Sequence, residues 1–293
     1  MDVAAAIRDF LMTRRANVTP EQVGLPSAGR RRVAGLRREE VAMLAGVSVE
    51  YYVQIERGRL AGVSDDVLGA IARALLLDDV ETSHLFDLAH AARDRASQRP
   101  RARAAQLPQG VRLLIDAMTG VPAMVQNSRL DILATNALGA AVFAPVLEAE
   151  APNMARFVFF DARAPEFFTA WESIADDAAA MLRVHAGKNP YDRSLSDLVG
   201  ELSTRSEHFA QRWAKHNVRA HHRGVKAIAH PTAGELTLGY ESMQIPGRDE
   251  LTLLSYLPEP GSPSAERLAL LASWVTAEQR ETQAQGEYRQ SPR

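Results

Sequence analysis

The chain has 293 residues, with 34 Lys and Arg against 36 Asp and Glu and no cysteine. That length supports two modest domains with cores of their own, and the near-neutral balance gives no global attraction to an anionic partner. The lack of cysteine excludes disulfides, thiolate metal ligands and thiol nucleophiles.

The N-terminal "MDVAAAIRDFLMTRR" carries an early Asp2 and no long apolar core. It reads as neither a signal peptide nor a membrane span, and no later run reaches spanning length. The expectation is a cytoplasmic protein with no membrane partner. From Val3 to about Arg15, Ile7, Phe10, Leu11 and Arg14 fall at helical spacing. A Pro- and Gly-punctuated loop follows, long for a connection inside a small helical domain. Charge is uneven here. Residues 1–60 hold ten Arg against seven Asp and Glu, a difference of three, and Arg30, Arg31, Arg32, Arg37 and Arg38 lie within nine positions. Such a run points to an anionic partner for this region alone.

"RREEVAMLAGVSVEYYVQIER", from Arg37 to Arg57, contains two short amphipathic helices broken at Gly46. Neither is stable alone, so they must pack on each other. Small Ala42 permits close approach, Gly46 can take positive φ, and Ser48 is a good N-cap. Val41, Ala45, Val47, Tyr52 and Ile55 supply a shared core. Glu50, Gln54 and Arg57 then form an outward polar stripe at i, i+4 and i+7. A short helix with such a stripe and a basic flank fits the DNA major groove. Ser64-Asp65-Asp66 opens a further helix from Val67, and another covers roughly Glu81 to Arg93, giving five helices in the expected domain 1–94.

Residues 95–108 read as a polar, Pro-containing linker. A helix over Val111–Met118 precedes "PAMVQNSRLDILATN", a hairpin turning at Asn127-Ser128-Arg129, and a helix starts at Asn136. A long helix with Phe167, Trp171, Ile174, Ala178 and Met181 ends at Asn189-Pro190. Leu195 to Leu202 form one more helix, and Phe209 with Trp213 another. Three strands follow, "GVKAIAHP", "GELTLGYESMQI" and "ELTLLSYLPE". Ser262-Pro263 caps a last helix with Leu268, Leu271, Trp274 and Val275 facing inward. The expected fold is multidomain, α and α+β. The second domain, 109–278, has a five-stranded antiparallel sheet with helices on one face, and 279–293 form a flexible tail.

The spacing of Ala42, Gly46, Val47, Tyr52 and Ile55, with "IERGR" closing the second helix, resembles the Xre-type (Cro/C1-like) helix-turn-helix family. The resemblance implies base reading by Val49, Glu50 and Gln54: Gln can bond adenine bidentately, Glu can accept from cytosine, and Val can touch a thymine methyl. It implies phosphate contacts from Arg37 and Arg38 at the first helix N-terminus and from Tyr51, Arg57 and Arg59, with Arg30, Arg31 and Arg32 added by their charge. The likeness narrows further. "RRVAGLRREEVAMLAGVSVEYYVQIERGR", "VGELSTRSEHFAQRWAKHNV", "KAIAHPTAGELTLGYESM" and "LLSYLPEPGSPSAERLALL" together resemble the MmyB-like regulators. That resemblance implies a PAS-like second domain and a small-molecule-responsive regulator, with a fatty acid or similar apolar molecule as ligand. The expectation is a repressor on double-stranded operator DNA, and a homodimer because one such small domain offers too few base contacts for selectivity. Thr135-Asn136 stands where the family has Trp-Asn, and loss of the indole implies a reshaped pocket.

For that pocket, Phe167, Trp171, Phe209 and Tyr240 are candidate apolar lining. Trp213 and His216 share a helical face and match the family's Trp-x-x-His. Arg205 and Arg156 can neutralise an anionic head group. His208, His216, His221, His222 and His230 cluster in sequence without a carboxylate at ligand spacing, so no metal is expected. No nucleophile elbow or Gly-rich phosphate loop appears, so neither a catalytic residue nor a cofactor is expected. The alternatives are an enzyme, or a protein-interaction module, fused to an autoregulatory DNA-binding domain.

Overall fold

The computed structural model describes residues 2–26, 33, 35–60, 62–93, 107–218 and 223–290, with side chains to Glu281. The chain forms two compact units, Met1–Ala102 with Ala179–Ala220, and Arg103–Ala178 with His221–Arg293.

The first unit opens with α1 Val3–Asn17, a 3₁₀ turn Glu21–Val23, α2 Arg38–Leu44, α3 Val49–Glu56, α4 Asp65–Ala74 and α5 Asp79–Arg93. The five expected helices form because their starts are capped locally. The side chains of Asp2, Ser48 and Ser64 accept from the backbone N–H groups of Ala4, Tyr51 and Val67. None of these helices is long enough to stand alone, and each buries one stripe. Ile7, Phe10, Leu11, Val41, Tyr52, Ile55, Leu68, Ile71, Leu85 and Leu88 meet in one core.

The second unit begins at α6 Gln109–Ala117, followed by β1 Ala123–Asn127, β2 Ile132–Thr135, α7 Ala137–Val142, α8 Ala144–Leu147, α9 Met154–Phe160 and α10 Ala164–Phe167. The division between the units falls inside α11 Trp171–Lys188, between Ala178 and Ala179, and α12 Arg193–Arg205 and α13 Glu207–Ala214 belong to the first unit. β3 Arg223–His230, β4 Gly234–Ile245, β5 Arg248–Pro258 and α14 Pro263–Gln290 complete the second. The five strands form one antiparallel sheet in the order β2-β1-β5-β4-β3.

The compact units divide at other residues than the expected domains, because residues 179–220 group with the first unit; a polar linker marks where a chain leaves one core, not which core a later helix returns to. Other expectations are corrected. Phe167 belongs to the short α10, separated from α11 by extended backbone at Phe168. Helices cover both faces of the sheet. Ile115 of α6 packs on Ala123, Val125, Ala134, Leu251 and Leu253, whereas Phe143 and Phe168 meet residues of the opposite face. Trp274 is 53% exposed although Leu268 and Leu271 are buried. The helix also continues to Gln290, past the expected start of a frayed tail. Glu, Gln, Ala and Arg dominate that stretch and have intrinsic helix propensity.

Asn136 anchors the second unit. Its Oδ1 accepts from Gly139 N at 2.7 Å and Ala123 N at 3.0 Å, and its Nδ2 donates to the carbonyls of Met118 and Val121, both at 2.7 Å. One amide thus caps α7 and ties it to β1 and to the end of α6. Gly139 is required beside it, because a Cβ there would lie 2.5 Å from the Ala123 carbonyl oxygen.

Candidate nucleic-acid interface and ligand-binding face

The turn between α2 and α3 is set by Gly46, with φ of 68°, and by Val47 N–H donating to Ala42 C=O at 3.0 Å. Ser48 Oγ accepts from Tyr51 N–H at 3.1 Å and starts α3. Glu50, Tyr51 and Arg57 are exposed, and Gln54 is half-exposed, while Val49 is half-buried against the core. Arg59 Nη1 donates to Gln54 Oε1 at 2.8 Å. An amide oriented by a guanidinium leaves its NH₂ end free of that bond, and both groups lie at one edge of the helix. Gly58, with φ of 80°, lets the chain after α3 pass close to α1; a Cβ there would lie 2.6 Å from Ala4 backbone.

Sequence reasoning missed the residue that holds this motif. Glu56 is 1% exposed. Its carboxylate accepts from Arg15 Nε at 2.7 Å, from Arg38 Nε, and from Tyr52 hydroxyl at 3.4 Å. Arg15 also donates to Leu36 C=O at 2.8 Å, so the network ties α1, α2 and α3 together. Desolvation, with the neighbouring Glu56 charge, raises the Tyr52 phenol above its ordinary range. The signal was present, since Glu56 lies four residues after the inward Tyr52. Arg38, expected on phosphate, commits its Nε to this carboxylate while its side chain stays half-exposed. Arg37 precedes α2, and its backbone N–H donates to Glu40 Oε2 at 2.6 Å. Arg30, Arg31 and Arg32 lie outside the described residues, as do His221 and His222.

The expected pocket residues divide between the units. Arg205, Phe209, Trp213 and His216 are in the first. Phe209 is fully buried and stacks on Trp213 with ring centroids 5.4 Å apart. The Arg183 guanidinium lies 3.9 Å from the Trp213 ring centroid and donates to its carbonyl. Arg14 pairs with Glu81 at 2.6 Å and donates to His216 C=O at 2.6 Å. Burial, followed by the nearby Arg183 and Arg14 charges, pushes His84 down to about 3. Burial and Arg183 likewise lower His216 to about 4. Arg183 itself is lowered to about 10 by burial and then by Arg14. Arg205 pairs with Glu201 one turn back at 2.7 Å on the surface.

Phe167, Trp171 and Tyr240 are in the second unit. Phe157, Phe167 and Phe168 form an edge-to-face cluster with centroids 4.9–6.0 Å apart. Trp171 Nε1 donates to Val158 C=O at 2.9 Å. Tyr240 is buried beside Tyr256, centroids 6.0 Å apart, and Tyr256 meets Phe143 at 4.8 Å. Lys226, unflagged by sequence, reaches this aromatic wall. The strand period could have found it, because it alternates with Ile228 and His230 on one face. His230 has both ring nitrogens satisfied: Nδ1 accepts from Thr232 and Ala233 N–H groups at 3.2 and 2.9 Å, so Nε2 donates to Ala141 C=O at 3.0 Å. Arg156 N–H donates to Asn153 Oδ1 at 2.9 Å, capping α9. Among the described residues no group of His, Asp and Glu is placed to hold a metal, and no helix is long and apolar enough to cross a membrane.

Residues 107–271 match the MmyB-like transcription regulator ligand binding domain, and residues 28–85 match a helix-turn-helix domain. No individual curated protein matches the chain. The first match includes α12 and α13, which belong to the same compact unit as the helix-turn-helix helices.

Proposed function

The chain belongs to the MmyB-like transcription regulator family, and we propose that within it the chain is a cytoplasmic repressor. It binds operator DNA as a homodimer and responds to an apolar or fatty-acid-like small molecule. The polar edge of α3 carries this reading. Glu50 is exposed, and Gln54 is oriented by Arg59 on a helix whose opposite side is buried. That helix can enter a major groove, with Gln54 reading a base and Tyr51, Arg57 and Arg59 on phosphates.

Regulation requires only that ligand bind the DNA-competent and DNA-free states with different affinity. The aromatic wall around Phe168, Tyr240 and Tyr256 supports an apolar occupant in the second unit. Selection of duplexes by the full chain, followed by footprinting, tests the DNA half of the proposal. The expected product is an inverted repeat with half-sites about 34 Å apart or a multiple of that. No enriched sequence, or a lone half-site bound by a monomer, overturns it.

A further inference from the structure

Helix α3 closes in a turn that sets one side chain on another. Gly58 N–H donates to Ile55 C=O at 2.9 Å, and Arg59 N–H donates to Gln54 C=O at 3.0 Å. These two bonds around the positive φ of Gly58 make a Schellman end to the helix. Such an end brings the residue after the glycine against the one five positions earlier, a contact that is usually apolar. The backbone has little freedom to relax this placement. A Cβ at Gly58 would lie 2.6 Å from Ala4 backbone, and Leu60 is 2% exposed. Arg59 is held between two packed neighbours, while its own side chain is exposed.

In this helix the contact is polar: Arg59 Nη1 donates to Gln54 Oε1 at 2.8 Å. A guanidinium has donors and no acceptor, so only the amide oxygen can face it, and the amide cannot turn over. Among the described residues the Gln54 side chain makes no other hydrogen bond. Its oxygen is occupied and its NH₂ group is presented. Adenine is read bidentately by an amide whose oxygen accepts from N6 while its nitrogen donates to N7. Gln54 clamped by Arg59 lacks the first half of that pairing. Of the base edges in the major groove, guanine alone offers two neighbouring acceptors, O6 and N7. Thymine offers one, and cytosine presents only a donor. A donor-only amide fits guanine best and sets its hydrogens against those of adenine N6.

We propose that Arg59 is a positioning residue for base recognition: by holding Gln54 Oε1 it makes Gln54 a reader of guanine instead of adenine, and its remaining donors meet phosphate. The inference deepens the operator-binding reading and rests on it. Duplexes selected by the full chain supply the operator. Fluorescence anisotropy on duplexes carrying each base pair in turn then locates the position where Gln54→Ala loses discrimination. At that position the wild type should prefer guanine over adenine by about fivefold or more. Arg59→Met frees the amide to turn, and the preference should vanish or pass to adenine. Loss of a phosphate contact alone would weaken every duplex equally and leave that ratio unchanged. Arg59 is exposed and Gln54 half-exposed, so neither substitution opens the core. Circular dichroism melts check that each variant folds; if Arg59→Met does not, the base that the wild type prefers decides. Any base but guanine at the located position overturns the clamp. So does an Arg59→Met protein that keeps the guanine preference, or a Gln54→Ala protein that discriminates everywhere as the wild type does. In each of these cases the operator-binding reading stands, whereas a selection that enriches no sequence removes both.

Discussion

Gln54 and Glu56 are two positions apart on α3 and have opposite tasks. Gln54 faces outward with its carbonyl oxygen held by Arg59. Gln54→Ala should therefore weaken binding to the selected operator by ~1–3 kcal/mol and spare random duplex. Fluorescence anisotropy on both duplexes measures this, and equal losses on the two would make Gln54 a positioning residue. Glu56 faces inward and neutralises the mostly buried Arg15. Glu56→Ala leaves that guanidinium without its counter-charge and should cost about 3–5 kcal/mol in urea unfolding. Arg38→Ala should cost about 1 kcal/mol or less, because its half-exposed side chain is solvated and Glu56 keeps Arg15.

At the scale of elements, the first unit wholly or partly buries three histidines, on α5, on α11 and after α13, that resist protonation. His84 is lowered to about 3, and His185 and His216 to about 4, chiefly by burial. In the unfolded chain each takes a proton near its ordinary value of about 6.5. Between that pH and about 4 the unfolded state binds more protons, so stability must fall as pH falls through this window and be unaffected by these groups above it. Thermal melts at pH 7, 5.5 and 4.5 should show the decline. The dependence should be shallower in His84→Leu than in wild type, whatever that variant's stability at pH 7. An unchanged slope would show that His84 is protonated in the folded protein.

The same elements show what a sequence can reveal. Helix starts at Ser48, Ser64, Asn136 and Ser262 were legible because a cap is a local bond spanning three residues. The strands and turn glycines were legible for the same reason. The return of α12 and α13 to the first core was not, because it depends on Arg14 meeting His216, 202 residues away. Trp274 follows the inward period of α14, but the period outlasts the surface that the helix covers. Glu50 and Arg57 of α3 are exposed as the spacing implies, but Val49, expected outward, packs partly against the core, and the buried acid Glu56 was missed because a charged residue in a charged motif looks solvated.

For the whole molecule, the proposal places one small reading helix per subunit on DNA, and selectivity then comes from two copies on a repeated site. The Arg30-Arg31-Arg32 run should supply affinity that is independent of sequence. Neutralising all three should make the slope of log K against log salt less steep by about two to three, and an unchanged slope would place the run away from DNA. The central claim is that occupancy changes DNA affinity. Operator affinity of the full chain, measured by anisotropy at fixed salt while laurate is titrated to calorimetric saturation, tests it directly. The predicted result is a dissociation constant that rises at least tenfold as the site fills; a constant that stays flat while laurate binds would contradict it.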